Sequence, residues 1–434
     1  MATSKLAHDA SNNHSFMPTQ STSRADRIIA RCREIASFTE VPGETTRTFL
    51  SPPMHEVHTL LRQWMEAAGM TVNVDAIGNL RGLYLGLTSN APRLLIASHL
   101  DTVPNAGAFD GILGVVLGLA VIEELRGQRL PFAIEVIGFS EEEGIRFNKP
   151  FLGSLALVGR LDEQTLTSTD KDGISLAQAI RNFGLKPEEL PAAVLPSGSF
   201  AYLEFHIEQG PLLESESSSL GVVDTIVGQT RLQLTFTGQS NHAGTTPMHL
   251  RHDALAAAAE WIVATETYAH HHGNLVATVG KINAAPGAIN IIPGEVTASL
   301  DLRHRNDDLR KDAAVSLLES AAAIAFKRGV KISSKLLSQQ DAVPMNPHLT
   351  HLLQAATVRA GFPSPTMTSG AGHDAMIIAP HIPSTMLFLR TPGGLSHHPG
   401  ESVLPQDVEA ALATAMEFLT LLREDRSTLK DAHA

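Results

Sequence analysis

Five short stretches of this 434-residue chain carry side chains suited to holding a cation and activating water. In Ser98-His99-Leu100-Asp101-Thr102-Val103 a carboxylate follows an imidazole by two residues. It can accept one ring N–H, fix the tautomer and leave the other nitrogen free for a metal. Phe109-Asp110-Gly111 supplies a carboxylate at a helix start, where Asp110 is either a ligand or an N-cap. Ser140-Glu141-Glu142-Glu143-Gly144 crowds three carboxylates, which repel one another unless a cation or solvent relieves them. His206-Ile207-Glu208-Gln209-Gly210 and Leu395-Ser396-His397-His398-Pro399-Gly400 add imidazoles. Such a His and carboxylate set accepts Zn, Mn, Co or Ni, and its characteristic chemistry is hydrolysis.

These stretches must be delivered to one place by the fold. Arg93–Ser98 and Phe132–Phe139 are short apolar runs, read as buried strands, and a Gly-studded helix from about Gly111 to Arg126 lies between them. Phe200–Ile207 alternates and adds a further strand, and Ser384–Leu389 another. Strand, helix, strand at these crossover lengths implies a mostly parallel sheet flanked by helices, with ligands at the carboxyl ends of the strands. The candidate residues fall at those ends. Upstream, Ser51-Pro52 is read as the N-cap and first position of an amphipathic helix that Gly69 closes.

From about Val222 the pattern changes. Arg231–Thr237 alternates, an Ala-rich helix runs from about Asp253 to His270, and strands follow over Asn274–Lys281 and Glu295–Arg303. A helix over Asp307–Lys327 and a strand over Lys331–Leu337 complete a β-α-β-β-α-β order, the ferredoxin-like one. The expected organisation is a flexible tail over 1–23, an α/β catalytic domain over 24–221 and 340–434, and an α+β domain inserted over 222–339. Composition narrows the function. The chain has 20 His, one Cys and a formal charge of −12. One cysteine rules out a disulfide scaffold or a Cys-rich metal site and fits a reducing cytoplasm. An acidic chain lacks a nucleic-acid footprint, and the longest apolar stretch, Ile112–Ile122, is too short to span a bilayer.

The motifs SHLDTV, FDG, SEEEG, FHIEQG, SNHAGTTPM, SGAGHDA and SHHPG, in that order, resemble the M20-type binuclear metallohydrolases. They are most similar to the branch that hydrolyses ureido and carbamoyl C–N bonds: allantoate amidohydrolases, N-carbamoyl-L-amino-acid hydrolases and β-ureidopropionase-like enzymes. Thr46-Arg47-Thr48-Phe49-Leu50-Ser51-Pro52 resembles the allantoate-cleaving members more than the carbamoylases. The resemblance implies a catalytic α/β domain with an inserted lid and dimerisation domain, and two divalent ions per subunit. It makes Asp110 the bridge between the ions, with His99 and His206 completing one site and Glu143 and His397 the other. Glu142 becomes the general base, with Glu141–Glu142 as the alternative base and ligand pair. Asp101 orients His99. His242 stabilises the oxyanion and reaches the partner subunit's site, so a homodimer is implied. A small anionic ureido substrate would meet Arg303, with Asn290, Gln209, Gly370, Gly372 and His373 alongside.

Other features read more plainly. His55-Glu56-Val57-His58 is not HExxH, and its histidines are expected on a solvated helix face. Gly111, Gly114 and Gly118 are read as close helix packing, not a nucleotide loop. There is no GxSxG motif, and the lone Cys32 lies on the first helix, so a serine or cysteine nucleophile is not expected.

Overall fold

The protein is described over residues 23–425 by a computed structural model, so the tail expected before Ser23 lies outside the described residues. Ser23 caps the first helix, Arg24–Ala36, by accepting the Asp26 N–H. Beyond that helix the chain is organised around two sheets, one of nine strands and one of five among the described residues.

At the centre of the larger sheet four parallel strands lie in the spatial order Ala133–Phe139, Arg93–His99, Ser199–Ile207 and Ser384–Leu389. Parallel strands covered on both faces carry unbroken apolar runs, and Ala133–Phe139 is buried at every residue. Alternate side chains divide between two cores. Leu94 and Ile96 pack with Leu117, Val121 and Phe205, while Leu95 and Ala97 pack with Ile137, Tyr202 and Met386. Each fully buried Leu, Ile or Phe contributes roughly 1.5–3 kcal/mol.

The helix Ile112–Glu124 is apolar on every side and is buried from Ile112 to Ile122. Its glycines let it lie down on the sheet. A Cβ at Gly114 would sit 2.2 Å from the Phe205 carbonyl oxygen, and one at Gly118 would sit 3.0 Å from Ile96. At Gly111 two constraints coincide, a left-handed φ of +71° and a His99 ring 2.5 Å from where a Cβ would be.

Antiparallel strands extend both edges. The hairpin Thr71–Val74 and Leu80–Tyr84 adds to Ala133–Phe139, and Leu220–Ile226 pairs with Ser384–Leu389. The change of character read at residue 222 therefore falls after Ile226, because the strand through Ile226 hydrogen-bonds in the larger sheet.

The second sheet is antiparallel, with Gly228–Thr237 between Lys331–Gln340 and Glu295–His304. Numbered along the chain, with its two short edge pieces counted as one, its strands lie 4-1-3-2, the ferredoxin-like arrangement. The strand expected over 274–281 is instead two short pieces, Val276–Thr278 and Ile282–Ala285, both on Glu295–His304. Inward residues Leu232, Leu234, Phe236 and Leu300 meet Trp261 and Leu317 of the helices Ala254–His271 and Asp307–Lys327. The Trp261 indole N–H donates to the Leu317 carbonyl at 3.0 Å.

Two local expectations need correction. The second helix is Pro53–Ala67 with Pro52 in the cap position, and the Ser51 hydroxyl is buried without a partner. His58 is not solvated. It is buried, edge-on to Phe183, while His55 stacks on the same ring from outside. No helix among the described residues is long and apolar enough to cross a membrane.

Candidate metal centre

Because the four central strands are parallel, their carboxyl ends share one edge. His99 ends its strand opposite Phe139, after which Ser140–Gly144 turns away. His206 is paired with Phe388, just before the segment that leads to His397. Asp110 stands immediately before the buried helix. The helix cap is Gly111 and makes no side-chain cap bond, so the Asp110 carboxylate is free for another task. Three groups of donors converge here: His99, Asp110 and His206; His99, Glu142 and Glu143; and Asp110, Glu143 and His397. Within each group the ligand atoms lie within 4.8 Å of one another.

Tautomers test whether a metal fits. His99 Nδ1 lies 3.0 Å from the Asp101 carbonyl oxygen, and His206 Nδ1 lies 2.9 Å from that of Ile207. Each Nδ1 must carry a proton to donate, which turns the two Nε2 lone pairs towards each other at 3.3 Å. Asp110 Oδ1 also lies 3.3 Å from His206 Nε2. Positive charge must sit among these atoms. It is either a proton, which Asp101 and the nearby carboxylates favour on His99 against the cost of burial, or a cation in the same place. Three convergent electron-pair donors suit the cation.

The third group has the same logic, with His397 Nε2 3.2 Å from Asp110 Oδ2 and 3.6 Å from Glu143 Oε1. Burial resists the Asp110 charge, but the hydrogen bond from His397 and the imidazoles of His206 and His99 hold its carboxyl below the usual range. Burial and then Asp110 push Glu143 up to about 7. Burial and Glu143 raise Glu142 well above the carboxylate range, and burial drops His206 to about 4. Carboxylates that reluctant to ionise together are what a dication relieves.

Asp101 is 1 % exposed and does more than face an imidazole. Its Oδ1 accepts the Glu142 N–H at 2.9 Å and its Oδ2 the Glu143 N–H at 3.2 Å, while Oδ1 stands 3.4 Å from His99 Nδ1. Behind it Arg47, fully buried, donates to the carbonyls of Leu100, Ile35 and Phe38. Of the alternatives within the triple glutamate, Glu142 and Glu143 fall in the ligand groups. Glu141 is buried, with one oxygen accepting the Leu152 N–H and the other unpartnered. His397 enters a group and His398 does not, since its Nδ1 accepts the Gly400 N–H.

Two of the expected substrate residues pack against the donor cluster. The Gln209 amide donates to both Asp110 oxygens, at 3.1 and 3.2 Å, and to Ser396 Oγ, which holds it against the donor cluster. His373 is 1 % exposed, bonded to Ser369 Oγ and edge-on to His206 at 4.5 Å, so it backs a candidate ligand. The remaining candidates sit apart from the cluster. His242 is exposed, and its Nδ1 accepts the Gly244 N–H. Asn290 is exposed nearby, its carbonyl bonded to Ala243 N–H.

Arg303 spans the two sheets. Its Nε and Nη2 grip Asp301, and its Nη1 donates to the Gly370 carbonyl at 2.6 Å. Gly370 therefore presents an oxygen to Arg303, while Gly372 lies against the Phe151 ring. Arg303, Arg231, Lys281 and Gly370 line a cavity of about 630 Å³ that the ligand groups do not enter. One residue that sequence reasoning missed also belongs to the centre: Glu401 accepts the backbone N–H groups of Phe109 and Asp110.

The family model described as peptidase family M20/M25/M40 matches residues 95–421, from the first ligand strand to the last helix. The chain belongs to this family. Among its M20 relatives, allantoate deiminase 1 of Glycine max is 39% identical over 429 residues, covering 91% of this chain and 89% of the relative. The N-carbamoyl-L-amino acid amidohydrolase of Geobacillus stearothermophilus is 37% identical over 388 residues, covering 88% and 95%. Among solved structures, an amidase of the hydantoinase/carbamoylase family from Burkholderia multivorans superposes with a TM-score of 0.86 at 33% identity. It covers 92% of this chain, which covers 97% of it.

Proposed function

We propose that this M20 protein is a two-cation amidohydrolase that opens a ureido C–N bond, with allantoate as its substrate, releasing ammonia and CO2. The observation that carries the chemistry is the pair of donor groups, His99/Asp110/His206 and Asp110/Glu143/His397, sharing one carboxylate with Glu142 beside them. The choice of substrate rests on relatives named allantoate deiminase at 39% and 38% identity over 91% of the chain.

Two divalent ions, Zn or Mn with Co or Ni as alternatives, would polarise the scissile carbonyl and lower the pKa of the attacking water when bound there. The chain does the rest. Glu142 takes the proton from the water and returns it to the departing nitrogen, and the raised proton affinity of its buried carboxyl suits both halves of that task. Asp101 holds the Glu142 and Glu143 backbone and the His99 ring in register. Arg303 receives the substrate carboxylate, its planar fork giving up part of its grip on Asp301. His242 and Asn290 are exposed on segments between strands of the second sheet and outside the donor groups, which supports a role for His242 as oxyanion donor in the partner subunit of a homodimer. Residues 227–341 then act as an inserted lid and dimerisation domain. A single buried Cys32 fits a reducing cytoplasm.

The second reading, an N-carbamoyl-L-amino-acid hydrolase, is favoured by the 37% identity to the Geobacillus stearothermophilus amidohydrolase. The test is ammonia release from allantoate against amino-acid release from N-carbamoyl substrates, with Mn²⁺ or Zn²⁺ supplied. Turnover of neither would overturn the function. Glu142→Gln should keep its metal and lose turnover by a factor of roughly 10² to 10⁴, and undiminished turnover would remove Glu142 as the base.

A further inference from the structure

Two loops of the centre are each held by a carboxylate from elsewhere in the chain. Asp101 grips the consecutive N–H groups of Glu142 and Glu143. Glu401 does the same for the loop that carries Asp110. Its Oε1 accepts the N–H of Phe109 at 2.9 Å and of Asp110 at 3.1 Å. Its Oε2 lies 3.4 Å from Ser396 Oγ, the same hydroxyl that receives the Gln209 amide. Glu401 is 5 % exposed, and its own N–H closes a turn onto the His398 carbonyl. Gly107 lets the side chain lie flat on the loop, since a Cβ there would fall 2.4 Å from Glu401 Cβ. Neither donor group includes Glu401.

The two groups differ in how they are built. His99 and His206 belong to neighbouring strands, and each is anchored through Nδ1. His397 stands on a loop with φ of +53° and a half-exposed ring. For the Asp110/Glu143/His397 group, Glu401 ties the Asp110 loop to the His397 loop through the backbone, alongside the side-chain tie that Gln209 makes. We propose that Glu401 is a positioning residue of the metal centre, whose loss weakens the Asp110/Glu143/His397 cation site before the His99/Asp110/His206 site. The proposal rests on the reading of the cluster as a two-cation site.

The test titrates metal-stripped full-length protein with Zn²⁺ against a fluorescent chelator, in wild type, Glu401→Ala and Glu401→Gln, with circular dichroism as the check on folding. Wild type should take two equivalents. Glu401→Ala should keep the first and bind the second about 10- to 100-fold more weakly. Glu401→Gln keeps an acceptor oxygen for the two N–H groups and loses only the charge. It should weaken the second equivalent by a smaller factor, about threefold or more, and this variant decides the matter if Glu401→Ala does not fold. A folded Glu401→Ala with both affinities unchanged overturns the proposal. So does equal weakening of both equivalents, which is the mark of a merely structural residue, or an unchanged second equivalent in Glu401→Gln when only that variant folds. A wild type that holds fewer than two equivalents overturns the two-cation reading itself, and this proposal with it.

Discussion

Asp101→Asn is the sharpest perturbation of the centre, because it changes one atom type and almost no volume. The carboxylate accepts N–H groups on both oxygens, at 2.9 and 3.2 Å, and it is 1 % exposed, so water cannot substitute. In the amide one oxygen becomes NH2 and points a donor at a donor, whichever way it is flipped. Hydrogen bonds to a charged group are worth about 1.5–3 kcal/mol, against about 0.5–1.5 for neutral ones. One bond is lost and the other falls to the neutral range, a total of about 2–4 kcal/mol off the loop that carries Glu142 and Glu143. At about 1.4 kcal/mol per factor of ten, kcat should fall roughly 30- to 1000-fold. KM should move little, because Asp101 lies beneath the ligands and not beside Arg303. The assay is steady-state ammonia release at saturating metal, with metal content measured on the same sample. A folded, fully metallated Asp101→Asn with kcat within about threefold of wild type would refute the reasoning that the Asp101 grip positions the base.

Arg303→Ala should raise KM for an anionic ureido substrate by roughly 10- to 100-fold, the worth of a charge-assisted bond, with a smaller change in kcat. An unchanged KM would move the carboxylate site elsewhere. Arg47→Met takes a donor from three backbone carbonyls, of which Ile35 keeps the Phe38 N–H and Phe38 is half-buried, and urea unfolding should show a loss of about 2–3 kcal/mol. His58 is held down to about 3 by burial, with His55 and the nearby arginines adding to the effect. Between pH 6.5 and 3 the unfolded chain takes up this proton and the native chain does not. Stability therefore falls as pH drops through that window, by on the order of 4 kcal/mol at its lower end. His58→Leu should remove that slope in acid unfolding curves and cost little at pH 7. An unaltered slope would mean that His58 is not the group responsible.

Much of the centre was legible in the sequence because strand ends are legible. Apolar runs such as Arg93–Ser98 and Phe132–Phe139 announce buried parallel strands, and the polar residues that follow them must lie at one edge. The hairpin Thr71–Val74 and Leu80–Tyr84 and the strand Leu220–Ile226 are not legible in the sequence, because their apolar runs are broken: Arg81 and Gly82 interrupt the one, Gly221, Asp224 and Thr225 the other. Glu401 escaped for another reason. Its partners are backbone N–H groups 291 and 292 residues away, and no side-chain type at those positions reports them. Gln209 and His373 were assigned to the substrate from their motifs. Pattern carries their proximity to the site but not their contacts, which are with Asp110 and His206. His58 shows the converse limit: the sequence reading puts it on a solvated helix face, and only Phe183, 125 positions on, helps to bury it there.

The chain leaves the nine-stranded sheet and returns to it through one narrow gate. Ile226 is paired with Val343 in the larger sheet, and Gln229 with Gln340 in the smaller one. Departure and return are therefore side by side, as the two rails of a single antiparallel ladder. A cut at that gate could be closed by a two-residue hairpin turn without disturbing any strand that carries a metal ligand. The five-stranded unit is in that sense a cassette. Removing it would take away Arg303, Asn290 and His242 together, whereas His99, Asp110, Glu142, Glu143, His206 and His397 all lie outside it. Genetically, the residues assigned to grasping the substrate and those assigned to gripping the cations are separable by a single excision, and a different cassette could be spliced at the same seam.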